Sequence, residues 1–224
     1  AFAIDLGERH LVAMTSVELT TDDYFFNNVK QKVKFHDGNR AKQSAYIEHH
    51  IRKALQKKGK GHRIPNRTWR TKDIRRQEVL DIVNDIRSSV SEARNGGKAI
   101  IFIGDLKAPS MRNKGALSRR LSSYPRGELK DLLVDHLQKD GVDVQLVHEY
   151  RTSVTCHQCG STNTRRIRQG LFICHDCGLR YNADANGAWN ILGRGVRRRK
   201  SSKNKSLALG VPQILDKWVE CALG

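Results

Sequence analysis

The sequence predicts an α/β chain in which a mixed sheet is flanked by helices and a small metal-stapled module is inserted late. Three observations carry this. β-branched runs such as AIIFI (99–103) read as buried strands, and amphipathic helices separate them. Four cysteines fall in two C-x2-C pairs. Acidic residues stand at the ends of apolar runs, where an unpartnered charge is costly.

The elements follow in order. Residues 1–26 read as a meander of three strands: FAIDL, HLVAMTSV beyond the tight turn Gly7-Glu8-Arg9, and YFF. Residues 28–70 are basic and mostly helix-compatible, with a helix expected over 37–58. Ala45, Ile47, Ile51 and Leu55 give it only a thin apolar stripe. Lys53, Lys57 and Lys58 are candidates for a nucleic-acid backbone; a solvated surface helix is the plainer alternative. Residues 70–95 carry the strongest helical signal, with Ile74, Val79, Ile82, Val83, Ile86 and Val90 at three- and four-residue spacing, stopped by Asn95-Gly96-Gly97. The strand AIIFI and a polar connection follow. A second helix over 126–139 turns Leu129, Leu132, Leu133 and Leu137 inward and ends at Gly141. VDVQLVH then alternates as a half-buried strand does. This order of three strands, helix, strand, helix, strand is that of a ribonuclease-H-like fold, although several α/β folds begin with similar runs.

Bulk properties narrow the partners. The 224 residues hold 41 Lys+Arg against 23 Asp+Glu, a formal charge of +18 and a pI near 10.0. Such a charge favours polyanions, and it points to nucleic acid ahead of an anionic membrane surface. No apolar run approaches the roughly 20 residues of a spanning helix, and no signal peptide is visible. The first residues already read as a core strand with no initiator Met, so an upstream region is expected to be missing.

CHQCGSTNTRRIRQGLFICHDCG (156–178) is C-x2-C-x14-C-x2-C. Cys156, Cys159, Cys174 and Cys177 fit one tetrahedral structural Zn²⁺, and four thiolates leave no open position for catalysis. His157 and His175 are read as spacers. Arg165, Arg166 and Arg168 sit at the ribbon tip, where they either touch phosphate or face solvent. Beyond it, RYNADANGAWNILGRG reads as a buried helix with Asp184 near its start. The helix dipole alone would favour an acid there. But Asp5, within FAIDLG, is a second acid on an apolar element, unless it caps the turn before Gly7. One carboxylate on the first strand and one on a late helix is the layout of a two-metal nuclease. Such sites use a third acid, and IIFIGDLK (100–107) places Gly104-Asp105 where it is expected.

AIDLG, IIFIGDLK, YRTSVTCHQCG, CHDCG and NADANGAWNILGRG, in that order, resemble the C-terminal half of TnpB, the transposon-encoded family related to type V CRISPR effectors. The resemblance implies a RuvC-like nuclease domain of ribonuclease-H fold with an inserted zinc ribbon. It implies an RNA-guided DNA endonuclease using Mg²⁺ or Mn²⁺, with DNA and guide RNA as partners and an N-terminal half that this chain does not contain. A bacterial or archaeal cytoplasm, at the nucleoid, is implied by family alone. Asp5 and Asp184 match catalytic, magnesium-binding acids. The family's second acid is a Glu at the position of Gly104; Asp105 matches its neighbour and would serve only if the strand end bends. Glu149 is a remoter substitute. Cleavage is therefore expected to be absent or strongly reduced. The alternatives are a catalytically inactive, RNA-guided binding protein and a zinc-ribbon DNA-binding fragment.

The expected organisation is a RuvC-like first part (1–150), a zinc ribbon (151–181) and a RuvC-like last part (182–224). The last part holds the basic tract RGVRRRKSSKNK (194–205), with Arg197, Arg198, Arg199 and Lys200 as phosphate contacts, or as a linker. A C-terminal helix placing Ile214, Leu215, Trp218, Val219 and Ala222 on one face would dock on the core, with Cys221 buried. A dimer through that helix is the competing reading to a monomer.

Overall fold

The computed structural model describes residues 1–7, 10–17, 32–60, 65–105, 126–167 and 170–204. Its elements are β1 (Phe2–Asp5), β2 (Val12–Ser16), β3 (Lys32–His36), α1 (Asn39–Lys57), α2 (Pro65–Arg94), β4 (Ile100–Asp105), α3 (Arg126–Lys139), β5 (Asp143–His148), β6 (Thr164–Ile167), β7 (Leu171–Cys174), β8 (Arg180–Asn182) and α4 (Ala183–Asn204). The chain divides into two compact units, one of residues 1–35, 100–106 and 144–224, the other of 36–99 and 107–143.

The first unit holds a five-stranded sheet in the order β3-β2-β1-β4-β5. β1 runs antiparallel to β2 and parallel to β4, with Ile4 opposite Met14 on one side and Ile103 on the other. The sheet is therefore mixed, as the sequence predicts. Because strand side chains alternate, Ala3, Ile100, Phe102 and Val147 share one face. They pack with Trp189, Leu192 and Val196 of α4. A Cβ on Gly195 would lie 2.2 Å from Cδ1 of Phe102, so glycine is what lets the helix lie this close to the sheet. The second sheet is the antiparallel ribbon β6-β7-β8.

The second unit is built on α1, α2 and α3, with Val79, Ile82, Val83, Ile86, Val90, Leu129, Leu133 and Leu137 buried. Gly38 at the start of α1 has no side chain to cap it. Glu78 of α2 supplies the cap, accepting from the backbone N–H of Arg40 at 3.0 Å and from that of Ala41. A carboxylate there also suits the helix dipole. Arg87 holds Asp140 at the end of α3 through two bonds of 2.6 and 2.8 Å, and this pair keeps the Asp140 carboxyl below its usual range.

Three boundaries differ from the sequence reading. KVKFH forms β3, inside the stretch read as helix-compatible. Val33 and Phe35 alternate with Lys32, Lys34 and His36, a period of two masked by the surrounding basic run. α2 starts at Pro65, where a missing N–H costs nothing in the first turn. The tract from Arg194 to Asn204 continues α4 instead of forming a linker. The expected strand YFF and the C-terminal helix with Cys221 lie outside the described residues. Among the described residues no helix is long and apolar enough to cross a membrane.

Candidate active site and metal centre

The two acids expected to work together meet at the junction of β1 and α4. β8 runs straight into α4, and Asn182 is the cap: its Oδ1 accepts from the backbone N–H of Asp184 at 2.9 Å and of Ala185 at 3.1 Å. This fixes Asp184 in the first helical turn, only 4% exposed. Its Oδ2 accepts from the backbone N–H of His10 at 3.3 Å and its Oδ1 from Arg166 at 3.2 Å. Each acid packs on a glycine beside the other. A Cβ on Gly7 would stand 3.2 Å from Cγ of Asp184, and one on Gly187 would stand 2.4 Å from Oδ2 of Asp5.

A further carboxylate, that of Glu149, stands in the space beside Gly104. One register step beyond the Ile4–Ile103 pair, Asp5 lies beside Gly104 on β4. A side chain at 104 would point to the same face as Asp5. That space is filled: a Cβ on Gly104 would be 1.8 Å from Oε1 of Glu149, 2.7 Å from Cδ and 2.9 Å from Cγ. Glu149 follows β5 directly and shares the side of Val147, which is packed against α4. Its Oε1 is buried. Asp105 alternates to the side of Ile103 and Ile101, away from Asp5.

The four cysteines converge. Sγ of Cys156 and Cys177 are 3.7 Å apart, and those of Cys159 and Cys174 are 3.5 Å apart. A disulfide would need about 2.05 Å, whereas four thiolates about 2.3 Å from one ion stand roughly 3.8 Å apart. Among the described residues they are the one Cys/His/Asp/Glu group of three or more whose ligand atoms all lie within 4.8 Å of one another. This group could hold a metal ion. Burial pushes the Cys156 and Cys159 thiols up. At Cys174 burial acts the same way, but backbone N–H groups of Cys177 and Asp176 and the adjoining thiols bring it down to about 7. The carboxylate oxygens of Asp5, Asp184 and Glu149 do not all lie within 4.8 Å of one another.

Two asparagines join the ribbon to the helix. Buried Asn186 accepts from the His157 backbone N–H at 3.0 Å and donates to the Thr155 carbonyl at 2.8 Å. Asn190 donates to the carbonyls of Thr152 and Thr155 at 2.8 and 2.7 Å. His157, read as a spacer, also places Nδ1 3.0 Å from Oδ1 of Asn186 and stacks near Trp189. Burial lowers its pKa.

The basic candidates are dispersed. Lys53, Lys57 and Lys58 are exposed at the end of α1 and belong to the second unit; Arg165, Arg197 and Arg198 are exposed in the first. Arg166 turns toward Asp184. Arg168 lies outside the described residues, as do the side chains of Arg199 and Lys200.

Residues 127–191 match the family described as Cas12f1-like, TNB domain. A TnpB-like protein of Acanthamoeba polyphaga mimivirus is 31% identical over 127 residues, 54% of this chain and 24% of the relative. The CRISPR-associated endodeoxyribonuclease Cas12f1 of Sulfoacidibacillus thermotolerans is 33% identical over 75 residues, 33% of this chain and 18% of the relative. Among solved structures, Cas12f1 in complex with sgRNA and target DNA shares the fold, with a TM-score of 0.60 at 18% identity over 85% of this chain and 48% of that one. The matched stretch thus spans about a quarter or less of these curated relatives. The chain is thus similar in sequence to TnpB-like and Cas12f1 proteins and shares a mixed α/β fold with Cas12f1.

Proposed function

We propose that the chain is the RuvC-like nuclease part of an RNA-guided DNA endonuclease, and that Asp5, Asp184 and Glu149 are its metal-binding carboxylates. The observation carrying this is the placement of the Glu149 carboxylate where a side chain at Gly104 would project, beside Asp5. Removing the acid at 104 therefore need not cost the site its third negative charge. Mg²⁺ or Mn²⁺ held by the three acids would supply an activated water and stabilise the leaving oxygen. The chain's own part is to hold the carboxylates: Asn182 fixes Asp184, β1 fixes Asp5, and the exit of β5 fixes Glu149. Zn²⁺ on the four cysteines would have a structural role, keeping the ribbon on α4 through Asn186 and Asn190. The printed names of the relatives support this reading: one is an endodeoxyribonuclease, and one structure holds guide RNA and target DNA. The excess of cations supports nucleic-acid partners. The three-part domain division and the dispersed basic contacts go with this proposal.

The test is cleavage of labelled single-stranded DNA with Mn²⁺. Glu149→Gln is expected to lose activity by on the order of a hundredfold or more, while Asp105→Asn keeps it. Loss with Asp105→Asn and retention with Glu149→Gln would return the role to Asp105. Retention in both variants would favour a site without a third acid.

A further inference from the structure

We propose that the edge of β5 and its exit turn hold the substrate strand, with Tyr150 stacking on a base beside the scissile phosphate; this rests on the nuclease reading above. Tyr150 immediately follows Glu149 and is 67% exposed. The turn that carries the two residues is tightly held. The Glu149 carbonyl accepts from the backbone N–H of Thr152 at 3.1 Å and from its hydroxyl at 2.9 Å. The Arg151 carbonyl accepts from the backbone N–H groups of Val154 and Thr155 at 3.2 and 3.1 Å and from the Thr155 hydroxyl at 2.9 Å. Arg151 itself has φ 60, a left-handed conformation that costs a non-glycine residue about 1 kcal/mol or more and persists where the surroundings enforce it. The result is a rigid corner that sends Glu149 inward and leaves the Tyr150 ring outside.

The ring is set for an aromatic partner. The His148 ring stands 6.4 Å away, and the Arg151 guanidinium lies over the Tyr150 ring at 5.8 Å. Cations line the approach. β5 lies at one edge of its sheet among the described residues. Two of its carbonyls are taken by arginines of α4: Arg194 donates to His148 at 2.5 Å and Arg198 to Leu146 at 3.5 Å. Each guanidinium has five donors, so these bonds anchor the heads along the strand and leave donors for phosphate. A row of cations ending in a fixed, exposed ring beside a carboxylate is complementary to an unpaired strand. The cations follow its backbone, and the ring takes a base that duplex stacking would withhold.

The experiment is fluorescence anisotropy on this chain, with single-stranded and duplex DNA of equal length, in buffer without added divalent ion. Tyr150→Ala is expected to weaken single-strand binding about five- to tenfold and to leave duplex binding within about twofold. Tyr150→Phe should bind as the parent does. A 2-aminopurine in the strand should be quenched by the parent and by Tyr150→Phe, and not by Tyr150→Ala. Arg198→Ala should weaken both substrates and reduce the salt slope by about one. Unchanged single-strand binding in Tyr150→Ala, or equal loss for both substrates, overturns the proposal. Because no Mg²⁺ or Mn²⁺ is added, the result is independent of cleavage: the carboxylate assignment falls on Glu149→Gln, and this one on Tyr150→Ala.

Discussion

Placing a glutamate at position 104, where the resemblance to TnpB implies one, should impair this protein. The new Cβ would sit 1.8 Å from Oε1 of Glu149, far inside contact distance, so Glu149 must leave its place or β4 must shift. Overpacking of this kind costs about 1–3 kcal/mol. Two carboxylates held about 4 Å apart add up to about 4 kcal/mol of repulsion at an effective dielectric of 20, part of which rotation relieves. A net loss of about 2 kcal/mol is expected, which lowers the unfolding midpoint by roughly 4–8 °C in a chain of this size. Cleavage should not rise. The double variant Gly104→Glu with Glu149→Gly removes the clash and returns a single acid to the same space, so it should recover both stability and Mn²⁺-dependent cleavage. The assays are thermal unfolding by circular dichroism and cleavage of labelled single-stranded DNA. Higher cleavage in Gly104→Glu alone, with an unchanged midpoint, would refute the reasoning.

Two further outcomes follow from the geometry. Gly195→Ala places a methyl 2.2 Å from Phe102 and should cost about 1–3 kcal/mol in urea unfolding, whereas Gly127→Ala, with nothing within 4 Å, should be neutral or slightly stabilising. Elemental analysis should find one zinc per chain, and Cys174→Ser should release it, lowering the unfolding midpoint because the ribbon would lose its folding energy.

Periodicity made much of this fold legible. α3 begins and ends at the residues its leucines and Gly141 mark, and the cysteine spacing announced the knuckles before any geometry was known. β3 was hidden because a two-residue alternation of Val33 and Phe35 among lysines looks, in a basic stretch, like a solvated helix. At the site, Asp5 and Asp184 could be matched along the chain, since each stands in a distinctive local sequence. Glu149 could not be weighed that way. Its place next to Asp5 depends on β5 lying beside β4 and on Gly104 leaving room, and strand order is not written in either segment. The roles of Asn186 and Asn190 were equally hidden, because their partners are backbone carbonyls 31 to 38 residues away.

The most direct measurement is a Mn²⁺ titration followed by electron paramagnetic resonance on the chain, Glu149→Gln and Asp105→Asn. The account predicts that Glu149→Gln weakens binding by at least about tenfold, while Asp105→Asn matches the parent. Weakened binding in Asp105→Asn with none in Glu149→Gln would contradict it.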